Sequence, residues 1–200
     1  MSEVIVPNHD DLLKRSLRLY SPWQDNPSAW TGNSKTVGQP GIEKWLGSVA
    51  IGDIATELEE REWRAFLWQL SDPANWFKWL LPCQSHDGDK PVVGSSPGNG
   101  YTLPLAGLTP NASILTAGQY LVVPLPSGKY RTLGLTAALN SDGSGNATAQ
   151  FKPALSETPT IGVTVETLDP FIAMRPAVDT LGLDTDQGVS GASFDVRENR

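Results

Sequence analysis

Two short clusters of the sequence carry side chains that proteins use as metal ligands. His9, Asp10 and Asp11 are consecutive, and consecutive side chains of a strand or helix diverge, so they cannot converge on one ion. Cys83 and His86 form a C-x-x-H pair, but the chain has no other cysteine and no second pair to complete a zinc site. We therefore expect a solvated segment at residues 9–11, strand-end packing near residue 83, and no disulfide.

The remaining candidates for chemistry are carboxylates. The sequence DTDQG at residues 184–188 resembles the start of a calcium loop, but it lacks a third acidic ligand and a closing glutamate, so we interpret it as a polar turn. Paired acids could act as in a glycosidase, and the aspartates of the predicted loops are Asp142, Asp169, Asp179, Asp184 and Asp186. Loop carboxylates mostly keep a protein soluble, so we assign them no catalysis.

No motif of a known catalytic or nucleotide-binding site is present in the sequence. It has no nucleophile elbow, no glycine-rich phosphate loop and no dinucleotide fingerprint. Its two histidines lie near no obvious nucleophile that they could activate. We predict that the protein is not an enzyme and that it has no catalytic, cofactor-binding or metal-binding residues.

One segment has the pattern of an amphipathic helix. In IATELEEREWRAFLWQLSDP, Thr56 and Glu59 have capping-box spacing, and Asp72-Pro73 ends the pattern. The apolar residues at positions i, i+3, i+4 and i+7 are Trp63, Phe66, Leu67 and Leu70. Glutamates precede arginines by four residues, which predicts a salt-bridged outer face made by Glu57 with Arg61 and Glu60 with Arg64.

The rest of the chain predicts short strands separated by turns. Its segments are rich in β-branched and aromatic residues and end at Gly, Pro, Asn, Asp or Ser. The predicted strands are 44–51, 76–81, 101–105, 113–115, 119–123, 129–139, 147–151, 162–165, 171–175 and 192–196. Turns are expected at 126–128 and 141–146, and loops at 94–100 and 179–188.

The composition changes near Pro82. All seven tryptophans lie between Trp23 and Trp79, whereas the following residues are rich in Gly, Pro, Thr, Ser, Val and Leu. Two different modules therefore fit better than one. The tryptophans are expected to form a dense core, with the alternative that Trp23 or Trp30, in a segment rich in Pro, Gly and Asn, lies at an interface.

The net charge of -7 opposes binding to a phosphate backbone, which requires clustered Lys and Arg. We expect no sequence-specific nucleic-acid binding, although an acidic surface suits a wall that DNA passes without sticking. No run of 18 apolar residues is present, and MSEVIVPNHDD has no basic segment followed by an apolar one. We expect neither a membrane span nor a signal peptide, and hence synthesis and folding in the cytoplasm.

Three stretches, in this order, resemble the distal tail proteins of long-tailed, non-contractile phages: AFLWQLSDPANWFKWLLP, AGQYLVVPLPSGKYRTLGLTAALNSDGSGNATAQFKPAL and SGASFDVREN. The resemblance is closest to their compact form, in which an oligonucleotide/oligosaccharide-binding (OB) type barrel is inserted into a hub domain. It implies a mainly β fold with one amphipathic helix. The α+β hub domain, of β-sandwich or barrel type, would be residues 1–83 and 162–200, and the OB-like β-barrel would be residues 84–161.

The resemblance also implies a function. A distal tail protein is a structural virion protein that forms a ring, expected to be a hexamer, which joins the tail tube to the tail-tip hub and leaves a channel for DNA. The implied partners are other copies of the chain, the tail tube protein, the baseplate hub protein and the tape measure protein. The implied location is the tail tip of the virion, after synthesis in the host cytoplasm. The alternative is a carbohydrate-binding adhesion module of a tail tip or fibre, suggested by aromatic residues near loops.

The stretch SDGSGNATAQFKPAL at residues 141–155 matches a further pattern of these proteins, a D-x-x-G-x-A turn followed by an alternating strand. Asp142, Gly145 and Ala147 occupy the turn positions, and Gly143 and Gly145 allow positive φ. The strand would place Phe151 in the barrel core. Aromatic and basic residues that could serve a ligand groove of the barrel are Tyr101, Tyr120, Tyr130, Phe151, Lys129, Arg131 and Lys152.

Overall fold

The protein is mainly β, with one helix and curled sheets, as the sequence predicts. The computed structural model describes residues 2–27, 30–31, 33–38, 42–54, 56–94, 100–178, 181–186 and 189–200. Most of the predicted loop 94–100 therefore lies outside the described residues, as does Asp179. Within the described residues, no helix is long and apolar enough to cross a membrane.

The described chain contains one helix, α1 (Glu57–Leu70), and fifteen strands. Before the helix these are β1 (Leu12–Tyr20), β2 (Trp23–Pro27), β3 (Ser34–Gly38) and β4 (Lys44–Ile54). After it come β5 (Phe77–Leu80), β6 (Val92–Val93), β7 (Thr102–Ala106), β8 (Ser113–Leu115), β9 (Tyr120–Pro124), β10 (Tyr130–Leu135), β11 (Leu139–Asn140) and β12 (Ala147–Lys152). The last strands are β13 (Phe171–Pro176), β14 (Asp184–Asp186) and β15 (Val189–Glu198).

The chain divides into two compact units. The first unit comprises residues 1–18, 45–80 and 171–200, and the second comprises residues 19–44 and 81–170. The sequence-based boundaries placed 19–44 and 162–170 in the hub domain, whereas both segments group with the central residues here. Composition did not show this, because residues 19–44 are as rich in tryptophan as the first unit but make their contacts with the second.

The helix begins and ends for local reasons. The Thr56 hydroxyl accepts a hydrogen bond from the Glu59 N–H, and the Glu59 carboxylate accepts one from the Thr56 N–H, which completes the predicted capping box. Three glutamates in the first turn favour the positive end of the helix dipole. The predicted ion pairs of Glu57 with Arg61 and Glu60 with Arg64 form on the exposed side.

The apolar face of α1 forms part of the core of the first unit. Trp63, Phe66, Leu67 and Leu70 are all buried, as predicted. The Phe66 ring makes edge-to-face contacts with two other rings. Its centroid lies 5.4 Å from that of Trp63 and 5.8 Å from that of Phe77 in β5. The helix therefore packs on a sheet of strand order β1-β4-β15-β13-β5, with β14 added to β15.

We expect Phe66→Ala to lower the free energy of unfolding by about 3 to 5 kcal/mol, because it removes a fully packed aromatic ring from the core. Glu60→Ala, on the ion-paired outer side of the same helix, should lower it by only a few tenths of a kcal/mol. Urea unfolding of both variants measures the difference. Equal midpoints would mean that the core of the first unit does not depend on this face.

Strands β1 and β4 approach each other closely at Gly47. A Cβ atom on Gly47 would lie 2.7 Å from the backbone oxygen of Ser16 and 3.2 Å from the Trp79 ring. Both contacts are shorter than normal van der Waals separation, and a backbone oxygen in a sheet cannot easily move away. The position therefore requires glycine for steric reasons, although its φ lies outside the left-handed region that favours glycine.

We expect Gly47→Ala to destabilise the protein by about 1 to 3 kcal/mol, the usual cost of overpacking. The matched control is Gly38→Ala at the end of β3, where an added Cβ would have no atom within 4 Å. Thermal unfolding followed by circular dichroism should show a lower midpoint for the first variant alone. A tolerated alanine at residue 47 would contradict the close approach of these strands.

The second unit is built around a five-stranded antiparallel sheet of order β6-β7-β12-β10-β9, with β8 and β11 paired beside it. Buried and exposed residues alternate along β12, as its sequence pattern predicts. Phe151 is fully buried in the core, as predicted. Other large members of this core are Leu103, Leu105, Leu121, Leu133 and Val165.

Residues 162–166 join the two edge strands of this sheet. Their backbone exchanges hydrogen bonds with Val93 of β6 through Gly162 and Val163, and with Val122 of β9 through Glu166. The prediction of a strand at 162–165 is therefore wrong. This segment makes isolated bridges to two different strands and does not form a continuous ladder with either. Unpaired edges attract other chains, and this segment instead satisfies both edges of its own sheet.

Glu166 also fastens this segment. Its carboxylate contacts Lys90 Nζ at 2.6 Å and accepts hydrogen bonds from the N–H groups of Leu168 and Asp169. Burial alone would raise the pKa of Glu166, but the Lys90 contact and the two backbone donors outweigh burial and lower it.

The turn at residues 141–146 has the predicted chemistry. The Asp142 carboxylate accepts hydrogen bonds from the N–H groups of Ser144 and Asn146, at 2.8 and 2.9 Å, and these bonds lower its pKa. Gly145 has a positive φ of 73°, whereas Gly143 does not. One left-handed residue is sufficient for this turn, so the prediction was right for Gly145 and wrong for Gly143.

Other differences from the predicted elements have simple causes. The predicted strand 129–139 is divided into β10 and β11, because Leu139 pairs with β8 while Leu135 pairs with β12. Strand β14 lies inside the predicted polar loop 179–188, where backbone pairing with β15 outweighs the acidic composition. Strands β1, β2, β3 and β6 were not predicted, since they lack a clear alternation or are very short.

Candidate assembly surface

Strands β2 and β3 form an antiparallel hairpin that projects its side chains into solvent. The pairing runs from Trp23 opposite Gly38 to Pro27 opposite Ser34, and all ten residues of the two strands are exposed. In the described chain the two strands pair with each other and with no further strand. We call β2, β3 and Trp30 the arm. An isolated two-stranded hairpin is at best marginally stable in water, so the arm is a candidate for packing against another surface.

The arm and its flanks carry large apolar side chains that solvent reaches. Trp23 is 66% exposed and Trp30 is 95% exposed, and the other exposed apolar residues of this region are Tyr20, Val37 and Ile42. The tryptophans thus fall into separate classes, since Trp45, Trp63 and Trp79 are buried in the first unit. A dense core explains those three. The exposed Trp23 and Trp30 have the positions expected for interface residues.

A buried polar network fixes the residues that flank the arm. Glu43, just after the arm, is almost fully buried, and its carboxylate accepts hydrogen bonds from the Ala154 N–H at 2.8 Å and from the Ser21 hydroxyl at 3.0 Å. Arg131 of β10 is also buried, and it donates to the backbone oxygens of Ala154 and Glu43. Residues on both sides of the arm are therefore held to the five-stranded sheet of the second unit through Arg131.

The network is electrostatically matched to its surroundings. Lys152 Nζ lies 3.8 Å from the Glu43 carboxylate, with its own side chain half exposed. Burial raises the pKa of Tyr101, and the charge and hydrogen bonding of Glu43 raise it further, so Tyr101 stays neutral at ordinary pH. A buried charge is tolerated where such partners surround it.

Sequence reasoning missed Glu43 and interpreted Arg131 differently. Arg131 was considered as a base for a ligand groove, together with Phe151, but both side chains are buried and cannot line such a groove. The only sequence signal was a charged residue within an otherwise apolar strand, YRTLGL. That signal indicates burial with partners as readily as exposure, and the partners lie 88 and 23 residues away along the chain.

We expect Arg131→Met to lower the free energy of unfolding of the second unit by about 3 to 5 kcal/mol, because the buried backbone oxygens of Ala154 and Glu43 lose their charged donor. The matched control is Lys152→Met, which removes a half-exposed cation near the same carboxylate and should cost less than about 1 kcal/mol. Chemical unfolding compares the two. If Lys152→Met costs as much as Arg131→Met, then the network is held by charge alone and not by the buried hydrogen bonds.

The residues first considered for chemistry have structural contacts instead. Asp11 accepts a hydrogen bond from the Trp63 indole N–H at 2.9 Å. His86 contacts the Thr167 hydroxyl at 2.7 Å, and Cys83 is exposed. No group of three or more His, Cys, Asp or Glu side chains is placed to hold a metal ion among the described residues. Of the loop aspartates, Asp142 caps its turn. Asp184 and Asp186 lie in β14, so the predicted polar turn is wrong for residues 184–186, and residues 187–188 lie outside the described residues.

Two surface clefts are prominent in the described chain, one in each unit. The cleft of the second unit, about 700 Å³ in volume, lies along β7 and β12 and is lined by small, polar and aliphatic side chains. The cleft of the first unit, about 420 Å³, lies at the end of α1. Neither is lined by an aromatic side chain, which a saccharide groove would use for stacking.

Comparison with known proteins adds no relative to this description. No protein-family model and no curated protein matches the sequence.

Proposed function

We propose that this chain is a structural virion protein, a distal tail adaptor that forms a ring between the tail tube and the tail-tip hub of a long-tailed, non-contractile phage. The observation that carries the proposal is the arm. It presents two tryptophans and a row of strand residues to solvent, while the network at Glu43 and Arg131 holds its flanks rigidly. A segment with fixed flanks and exposed apolar side chains is typical of an interface between subunits. Burial of its apolar area by another chain contributes favourable free energy to association.

The architecture of the second unit supports the same assignment. Its five-stranded sheet and the segment that joins its edges fit a small closed barrel of the OB type. The ends of the central segment meet, since the Leu81 N–H donates to the Pro170 oxygen at 2.9 Å and the Gln84 N–H donates to the Leu168 oxygen at 2.8 Å. An inserted domain needs adjacent ends of this kind. In this proposal the first unit is the hub domain and the second is the inserted barrel.

In the ring, each arm packs on the next copy of the chain. A head-to-tail contact between identical subunits closes into a ring when the rotation between neighbours divides a full turn, and six copies fit the distal tail role. The tube protein would meet one face of the ring, and the hub protein the other, with the tape measure protein in the channel. The net charge of -7 suits a channel through which DNA passes without binding.

Carbohydrate binding by a tail adhesion module is the competing proposal, and the exposed tryptophans are the observation that favours it. Aromatic rings that stack on sugars usually lie over a groove that buries much of the ligand. Trp23 and Trp30 lie on the arm, and they do not line either of the two clefts described above. The adhesion module would need a saccharide groove beside these tryptophans, whereas the adaptor role needs only another chain that packs on the arm.

The double variant Trp23→Ser/Trp30→Ser should abolish assembly while leaving the fold intact, because neither side chain contributes to a core. The matched control is Trp68→Ser, which removes a tryptophan that is equally exposed, at 67%, from the outer side of α1. Light scattering should give a mass several times that of one chain for the natural sequence and for the control, at high concentration or with tube and hub proteins present. The double variant should remain monomeric.

Acrylamide quenching separates the two proposed functions. Assembly should protect tryptophan fluorescence in the natural protein and in the Trp68→Ser control, since the arm becomes covered. A strict monomer under all of these conditions, whose tryptophan fluorescence instead responds to oligosaccharides, would reject the adaptor and favour the adhesion module. The same double variant would then lose the oligosaccharide response.

A further inference from the structure

Two arginines lie side by side in the cleft at the end of α1. Arg175 of β13 and Arg197 of β15 are direct partners in the antiparallel pairing of these strands. Both side chains line the cleft of about 420 Å³, together with Leu70, Pro73 and Pro176. Directly opposed residues of an antiparallel pair have Cβ atoms about 5 Å apart, so the two side chains leave the sheet next to each other, Arg175 partly buried and Arg197 exposed.

Like charges in this position carry a cost that needs an explanation. Arg175 is partly buried. Its pKa is lowered, mainly by burial and to a smaller extent by repulsion from Arg197. An arginine nevertheless remains charged at any physiological pH. Like charges directly opposite in a sheet are destabilising. Within the described residues, neither arginine forms an ion pair, and the buried Nε of Arg175 has no hydrogen-bond partner.

A purely structural role for the pair accounts for only part of this arrangement. The C-terminal end of α1 has no basic residue in its last turn, so nearby cations could complement the helix dipole. That role needs one positive charge and leaves the buried N–H of Arg175 unsatisfied. The final carbonyls also have other donors, since the Ser71 N–H and hydroxyl bond to Leu67 and Trp68 and the Asn75 side chain bonds to Gln69.

We propose that Arg175 and Arg197 form a binding site for one oxyanion, a carboxylate or a phosphate, that enters the cleft at the end of α1. A planar carboxylate or a phosphate matches the forked donors of a guanidinium group, and one anion between two cations cancels their repulsion. It also supplies an acceptor to the buried N–H of Arg175. The cleft is large enough for such a group and its attached chain.

Two sources could supply the oxyanion. One is a free anion from solution. The other is an acidic side chain of a second copy, and the first turn of α1 presents exposed glutamates, Glu57 and Glu59, at the opposite end of the helix from the cleft. A head-to-tail contact between copies would bring such a start of α1 towards the arginine pair of the next copy. The site itself does not depend on the proposed ring, because the free anion needs no assembly.

The first test uses inorganic phosphate with the single variants Arg175→Gln and Arg197→Gln. In sodium chloride, each variant should unfold at the same temperature as the natural protein or a few degrees higher, because the like-charge repulsion is removed. When phosphate replaces chloride at equal ionic strength, the midpoint of the natural protein should rise with phosphate concentration, and both variants should lose that part of the rise. Isothermal calorimetry should show phosphate binding weakened at least tenfold in each.

The control variant is Arg64→Gln, which removes an arginine that is ion-paired with Glu60 outside the cleft. It should keep the full phosphate response, and it also reports the general stabilisation that phosphate gives by exclusion from protein surfaces. A second control, Asp179→Asn, tests whether a carboxylate of the same chain fills the site, since Asp179 follows the cleft residue Val178 in the sequence. If that variant binds phosphate more tightly than the natural protein, the occupant is internal and the proposal is overturned.

Sedimentation in chloride distinguishes the sources. If the glutamates of a second copy fill the site, the arginine variants should associate at least tenfold more weakly, and phosphate should compete with association of the natural protein. If a free anion fills it, association should be unchanged while phosphate binding is lost. The proposal is overturned if both arginine variants unfold at lower temperature in chloride and respond to phosphate as the Arg64→Gln control does, since the pair would then be structural.

Discussion

The backbone groups at the edges of a sheet must find partners, and this constraint organises the second unit. Residues 162–166 bond to β6 on one side and to β9 on the other, so the five-stranded sheet completes its edge pairing within its own unit. The segment does this without forming a strand, because it divides its few bonds between two partners. Glu166 holds it in place through Lys90 and two backbone donors, and Val165 fills the core beneath it.

In the arm, by contrast, the outer strand edges pair with no further strand of the described chain. Its two strands satisfy one another, but their outer edges and all their side chains face solvent. The five-stranded sheet, whose edges are paired, belongs to the same unit as the arm, and its core consists largely of aliphatic residues. Buried hydrogen bonds of Glu43 and Arg131 fix the residues on either side of the arm. Less conformational entropy is therefore lost when a partner packs on the arm.

Arg131 and Arg175 have opposite electrostatic environments. Arg131 is surrounded by two backbone oxygens and lies in a network with Glu43, so its burial is compensated. Arg175 is opposed by a second arginine and keeps a buried N–H without a partner in the described chain. The first arrangement belongs to a site that is complete in one chain. The second is the arrangement that we propose binds an oxyanion.

The sequence by itself determined the local features. The capping box, the buried stripe and the ion pairs of α1 follow from residues within one or two helical turns, and the turn at Asp142 and Gly145 follows from hydrogen bonds and dihedral preferences within five residues. The alternation along β12 likewise placed Phe151 in a core. These features depend on neighbours in the sequence, so periodicity and residue type were sufficient to predict them.

Only the tertiary structure decided which distant segments meet. It paired Arg131 with the backbone of Glu43, 88 residues away, assigned residues 19–44 and 162–170 to the second unit, and divided the tryptophans between a core and an exposed arm. It also set Arg175 opposite Arg197. Composition could not show these outcomes, because a charged or aromatic residue looks the same in sequence whether its partner is a distant carbonyl, a second arginine or solvent. The register between strands decides among these cases, and that register depends on the packing of both units.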